Sequence, residues 1–285
     1  MTQKEALEIL KTGANVFVTG EPGAGKTHVV NAYVAYLRSC GIEAAITAST
    51  GIAATHIGGM TIHSWSGIGV ANRLSPEEVI MIAGRKRIRK RLVGARALII
   101  DEVSMLSGAT LSMADAVCHA GRESALPFGG MQVVLVGDFF QLPPVSREGN
   151  GTVFAYKSDS WRALNLAVCY LAEQYRQDDP EYLAVLSAIR SNRFDAADRA
   201  HLFGQRFASG DLPDDVPKLF THNVDVDRIN AERLARLPGK PVPFYMEAFG
   251  PALLVAGLKR SCLAPELLEL KTGATVMCTK NNPKK

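Results

Sequence analysis

The chain has 285 residues, 47% of them apolar, and a net charge of +4, which is enough length for two ordinary domains and a basic excess that permits a polyanionic partner without demanding one. Cys40, Cys118, Cys169, Cys262 and Cys278 stand apart with no C-x-x-C pair, which argues against zinc and against a disulfide framework and for a reducing cytosol. There is no charged-then-apolar leader and no apolar run of about 18 residues, so neither secretion nor membrane insertion is expected.

After an amphipathic N-terminal helix, residues 15–19 read as a buried strand, and Gly20-Glu21-Pro22-Gly23-Ala24-Gly25-Lys26-Thr27 follows it. In such a loop the glycines let successive backbone N–H groups turn inward on phosphates, Lys26 reaches the β- and γ-phosphates, and the Thr27 hydroxyl can ligate Mg²⁺. The helix that leaves it, 27–40, carries Val30, Tyr33, Val34 and Leu37 at helical spacing and ends before Gly41. ATP and Mg²⁺ are the expected cofactors. Gly20, Glu21, Pro22, Gly23, Ala24, Gly25, Lys26, Thr27 and His28 form the expected nucleotide-contacting set.

Further strands are expected at 42–47, 97–100 and 132–136. Their alternation with helices predicts an α/β fold, a parallel sheet wrapped on both faces. Between Ser75 and Gly94 a helical insertion carries Arg85, Lys86, Arg87, Arg89, Lys90 and Arg91, with Ile88 and Leu92 as its buried side. The basic run reads either as a solvated face or as a nucleic-acid contact. Asp101-Glu102 closes the strand 97–100. Two adjacent acids at a strand end serve as a simple helix cap or, beside a phosphate loop, as a Mg²⁺ ligand (Asp101) and a polariser of the attacking water (Glu102). A glycine-rich stretch from Ser146 to Thr152 loosens the pattern, and the domain boundary is expected near 170. Beyond it come a helix at 181–190, with Tyr182, Val185, Leu186 and Ile189 on one face, and a short strand at 218–221.

The most discriminating string is Gly137-Asp138-Phe139-Phe140-Gln141-Leu142-Pro143-Pro144. Here the chain resembles the Pif-type helicases, the RecD-like branch of superfamily 1 DNA helicases. Ala48 to Ala54, Thr61 to Gly69, Ile100 to Met105, Pro127 to Gly130, Glu173 to Gln177 and Thr221 to Asn223 follow the same family's motifs in its order. The resemblance implies a RecA-like P-loop NTPase domain over 1–170, with the helical or wedge insertion at about 70–95. It also implies an incomplete second RecA-like domain over 171–270 and the start of a β-barrel insert at 271–285.

It further implies ATP-driven 5′ to 3′ movement on single-stranded DNA, unwinding of tailed duplexes, and work in repair, recombination and genome maintenance by a cytoplasmic monomer. Gln3 resembles the adenine-reading glutamine, Gln141 the γ-phosphate sensor and Arg176 an arginine finger. Their plainer readings are a solvated terminal glutamine for Gln3 and a surface ion pair for Arg176. Single-stranded DNA contacts carry over to Thr50, Gly51, His63, Ser64, Trp65, Thr221 and Asn223. Taken without the family, Trp65 reads as core.

The family continues past the segment matched by Leu270 to Met277, and its T-I-H-K-S-Q-G-like and final arginine-bearing motifs have no counterpart before Lys285. The expectation is a truncated product with unpaired sheet edges and poor stability. An ATP-gated single-strand-binding module without motor activity is therefore the competing reading. A small-molecule kinase has no use for Thr61 to Gly69 or Gly137 to Pro144.

Overall fold

The computed structural model describes residues 1–144, 153–175, 179–207, 218–220, 223–252, 255–256, 259, 262 and 264–276. The chain divides into two compact units, 1–203 and 204–285. The first unit begins with α1 (Gln3–Lys11), β1 (Val16–Gly20), α2 (Lys26–Ser39), β2 (Ala44–Ala48), α3 (Gly51–His56), β3 (Met60–Thr61) and α4 (Ile62–Ser66). It continues with α5 (Pro76–Gly84), α6 (Lys86–Gly94), β4 (Ala97–Asp101), α7 (Gly108–Arg122) and β5 (Gln132–Val136). It closes with α8 (Asp159–Ala163), β6 (Ala167–Leu171), α9 (Pro180–Arg190) and α10 (Ala196–Gly204). The second unit holds α11 (Asn223–Arg236), β7 (Val242–Tyr245) and β8 (Leu267–Leu270), the last two paired antiparallel.

Six strands form one sheet in the order β3-β2-β4-β5-β1-β6, and every pair is parallel. All their carboxyl ends therefore lie along one edge. The central strands are apolar at successive residues because both faces are covered. Phe17, Leu98, Ile100, Val133 and Leu135 pack into the core that α4 to α8 cover, and Val16, Val18, Ile99, Val134 and Val136 into the core under α1 and α2. The opposite, amino edge is stitched by two amide side chains. Asn15 accepts from the Val133 amide at 2.8 Å and donates to the Leu164 carbonyl at 2.9 Å, joining β5 to the approach of β6. Gln132 donates to the Leu10 and Ala14 carbonyls at 3.0 and 2.7 Å.

Several sequence expectations need correction. The insertion 75–94 is two helices, α5 and α6, because Gly84 ends the first and Arg85 between them is extended at φ −61°, ψ 121°. Ile88 and Leu92 are buried as expected. No strand forms at 218–220, where Leu219 is 99% exposed and has no neighbouring strand to pair with among the described residues; Thr221 lies outside them. The helix at 181–190 forms as α9, yet only Val185 of its apolar face is buried. The compact first unit runs on past 170 because α9 is tied back to it, through Ser187 to Glu21 and Arg190 to Asp138. The stretch from 146 to 152 lies outside the described residues. Among the described residues no helix is long and apolar enough to cross a membrane.

Asn15→Ala removes both of that side chain's ties and leaves a half-buried amide and carbonyl without partners, which costs about 2 kcal/mol. Urea titration is expected to show that loss. Asn15→Asp keeps the acceptor for the Val133 amide and is expected to recover about half of it.

Candidate active site

The phosphate loop connects β1 to α2 and takes its shape from three glycines at positive φ, Gly20 at 151°, Gly23 at 93° and Gly25 at 83°. A side chain at Gly20 would come within 2.6 Å of the Leu171 carbonyl on β6, and one at Gly25 would collide with the Gln3 amide. Gly25 caps α2 with no side-chain hydrogen bond, and the first turn holds no acid. The free N–H groups and the positive end of the helix are thus left for an anion. Lys26 Nζ donates to the Gly20 and Glu21 carbonyls at 2.8 and 3.1 Å, so it spans the loop. Burial draws this ammonium below the usual lysine range, against the pull of Asp138 and Glu102. Thr27 and His28 are exposed beside the loop.

β4 delivers Asp101 to the same edge, 9% exposed. Glu102 follows in the left-handed region at φ 52°, ψ 44°, and its own amide donates to Asp101 Oδ1 at 2.9 Å. Burial pushes both carboxyls above their ordinary range, and for Glu102 the neighbouring Asp101 charge adds to it. β5 runs into Gly137, where an added Cβ would press to 3.0 Å from the Val103 amide. That glycine lets the strand end lie against the turn after Glu102 and brings in Asp138, which is 1% exposed. Arg190 Nη1 lies 2.8 Å from both Asp138 oxygens, Gln141 Nε2 donates to Oδ2 at 3.1 Å and the Phe140 amide to Oδ1 at 3.2 Å. Burial raises the Asp138 pKa, but these donors outweigh it and hold the carboxyl below its ordinary value. Phe139 fixes the segment from the other side, with its ring 4.8 to 5.8 Å from those of Phe17, Phe154, Tyr156 and Trp161.

Gln3 opens α1 over the loop. Its Nε2 donates to the Ala24 carbonyl and its backbone amide to Glu173 Oε2, both at 3.2 Å, so it is not a freely solvated terminal residue. Beside it is a pocket of about 360 Å³ whose walls include Thr2, Gln3, Leu7, His28, Glu173 and Tyr175. The Tyr175 amide donates to the Gly23 carbonyl at 3.1 Å, which binds this wall to the phosphate loop. Arg176 lies outside the described residues.

The residues expected to grip DNA follow the ends of β2 and β3 on the same sheet edge. Thr50 caps α3 by accepting from the Ala53 amide at 3.2 Å, and Gly51 is exposed at that helix start. On α4, Ser64 is exposed, and His63 is half-buried, with burial holding its imidazole below the usual range. Trp65 is a correction. At 4% exposure it packs in the core with Ile62, Ile68 and Ile82, so its indole has no open face for a base. Asn223 opens α11 in the second unit, and Thr221 lies outside the described residues. In the basic run, Arg89 pairs with Glu123 at 2.7 Å and Arg91 donates to the Ser64 carbonyl at 3.0 Å, while Arg85, Lys86, Arg87 and Lys90 face solvent. Within their motifs, Asp138, Glu173 and Tyr175 carry no sequence signal that sets out their roles. Arg190 carries no sequence signal beyond ending a helix.

The edge thus combines an anion-ready helix start, one lysine and three carboxylates. Among the described residues no group of three His, Cys, Asp or Glu gathers to cage a metal. Thr27 and Asp101 supply one hydroxyl and one carboxylate, a donor set that suits Mg²⁺ when phosphates and waters complete its shell.

Residues 2–192 match the PIF1-like helicase family. Over 99% of its length the chain is 44% identical to an ATP-dependent DNA helicase Pif1 of Psychrobacter, and over 98% it is 35% identical to the human ATP-dependent DNA helicase PIF1. It spans 44% and 43% of these two relatives, less than half of either. Among solved structures, the Pif1 helicase of Candida albicans superposes with a TM-score of 0.83 at 32% identity, covering 99% of this chain and 65% of that one. A Bacteroides Pif1 helicase in complex with ADP-AlF3 and single-stranded DNA superposes at 0.71 with 27% identity, covering 95% and 63%.

Asp138 titrates in the folded protein below its unfolded value, so the Arg190 pair contributes fully above about pH 4 and fades as pH falls through the lower folded value. Urea unfolding from pH 7 down to pH 3 is expected to show Arg190→Gln less stable than wild type at neutral pH. The gap should narrow progressively below about pH 4. A deficit that stays constant across that range contradicts the pairing.

Proposed function

Because the chain belongs to the PIF1-like helicase family, we propose that it is the ATP-hydrolysing part of a motor that moves 5′ to 3′ on single-stranded DNA and unwinds 5′-tailed duplexes. The observation that carries this is the meeting of Lys26, Asp101, Glu102 and Asp138 at one sheet edge, in front of the uncapped start of α2. In this reading Lys26 gives up the Gly20 and Glu21 carbonyls for the β- and γ-phosphates, while loop amides hold their oxygens. Thr27 and Asp101 would hold Mg²⁺, which would supply charge neutralisation at the phosphates. Glu102, fixed by its left-handed turn, orients and polarises the water. Gln141 contacts the γ-phosphate and Arg176 completes the positive charge around it.

The pocket beside Gln3 takes the adenine, whose N6 and N7 suit a glutamine amide. Thr50, Gly51, His63 and Ser64, with Thr221 and Asn223, grip the DNA backbone through hydroxyls and amides, a contact that tolerates any sequence. By function, residues up to about 170 are read as the first RecA-like domain and those after it as belonging to a second. The family favours work in repair, recombination and genome maintenance, and DNA as partner favours the cytosol or nucleoid.

One observation favours the second reading, an ATP-gated single-strand-binding module. Among the described residues of 204–285 no apolar side chain is buried, so that unit has little to push against. Hydrolysis measured with and without single-stranded DNA, and strand displacement on a 5′-tailed duplex, separate the two. DNA is expected to stimulate hydrolysis. Lys26→Ala is expected to lower it by about a hundredfold or more, and Glu102→Gln to lose hydrolysis while keeping ATP and DNA binding. Stimulated hydrolysis without displacement selects the module, and normal turnover by Lys26→Ala refutes the site.

A further inference from the structure

Gln141 and Arg190 donate to the same buried carboxylate, and they reach it from different elements. Gln141 follows β5 and holds Asp138 Oδ2 at 3.1 Å, while Arg190 ends α9 and lies 2.8 Å from both oxygens. The Arg190 guanidinium also sits 4.3 Å over the ring of Phe140, the residue before Gln141. Ser187, on the same last turn of α9, donates to Glu21 Oε1 of the phosphate loop at 3.2 Å. α9 is thus fastened to the loop and to the segment that carries Gln141. Its cap, Asp179, comes shortly after Arg176 in the chain.

We propose that Asp138 is a pivot through which Gln141 sets the grip on α9, and that Arg190 is the residue that passes this state to the helix. The proposal rests on the reading of Gln141 as the γ-phosphate contact. The two donors are unequal. Gln141 is exposed and neutral and its bond is longer, whereas the Arg190 bond is charge-assisted and nearly dry. A third phosphate carries more negative charge than a carboxylate and draws the exposed amide away. Of the three hydrogen-bond donors to its carboxylate, Asp138 then keeps Arg190 and the Phe140 amide, and it holds Arg190 the more firmly. With a diphosphate, Gln141 stays on Asp138 and the grip is shared. α9 therefore registers the third phosphate.

Amide hydrogen exchange on the whole chain, with Mg²⁺ and either ADP or a β,γ-imido ATP analogue, tests this. In wild type the amides of 183–191 are expected to exchange about tenfold more slowly with the analogue than with ADP. In Arg190→Gln and in Gln141→Ala that difference is expected to shrink to about twofold or less, while amides 20–27 remain protected by both nucleotides. Arg190→Lys, which keeps the charge, is expected to restore part of it. Gln141 is exposed, so its substitution leaves the fold intact. A wild-type α9 that responds alike to both nucleotides overturns the proposal, as does a difference that survives in both variants. If neither nucleotide protects 20–27, the nucleotide reading is lost and this proposal falls with it.

Discussion

Two cations and three carboxylates, Lys26, Arg190, Asp101, Glu102 and Asp138, share one largely dry edge of a parallel sheet, and the rest of the first unit is arranged around keeping them there. Charge in such a place must be balanced at close range. Arg190 serves Asp138, and Lys26 lies within the field of all three acids. Counted as ionised, the cluster carries one net negative charge. On the proposed reading a triphosphate would add several more, so the edge would accept it only with a cation in hand. That makes a Mg²⁺ site built from little more than Thr27 and Asp101 physically sensible, since the ligand brings both the charge and most of the oxygens.

The backbone bears the cost of that crowding. Gly20 and Gly137 are glycines because neighbouring backbone stands where a Cβ would go, and Glu102 holds a left-handed conformation that few glutamates adopt. The amino edge of the sheet shows the contrast. There the loops are tied down by the Asn15 and Gln132 amides. One edge is closed by neutral hydrogen bonds and the other is kept for ions.

What the sequence made legible was local. The loop from Gly20 to Thr27 and the strands at β1, β4 and β5 could be read because a short motif or a run of apolar residues contains its own explanation. Trp65 could not be placed by its motif, since its fate was decided by Ile68 and Ile82 arriving from later segments. The break at Arg85 was hidden because a nine-residue helix on each side reads as one longer helix. Arg190 was invisible for the same kind of reason. An arginine at the end of a helix is ordinary, and only the fold sets it 2.8 Å from Asp138, 52 residues earlier in sequence.

The same distinction separates the two units. Every apolar side chain buried among the described residues lies in 1–203, while β7 and β8 form a two-stranded sheet with Phe244 and Tyr245 exposed. Two strands and a helix without a core do not repay the entropy of ordering them. Yet Lys26, Asp101, Glu102, Asp138, Gln141 and Arg190 all belong to the unit with the core. On the proposed reading, nucleotide binding and its use as motion therefore rest on different units. The first rests on a sheet stabilised on both faces, and the second on a unit whose order must come from contacts outside its own described residues.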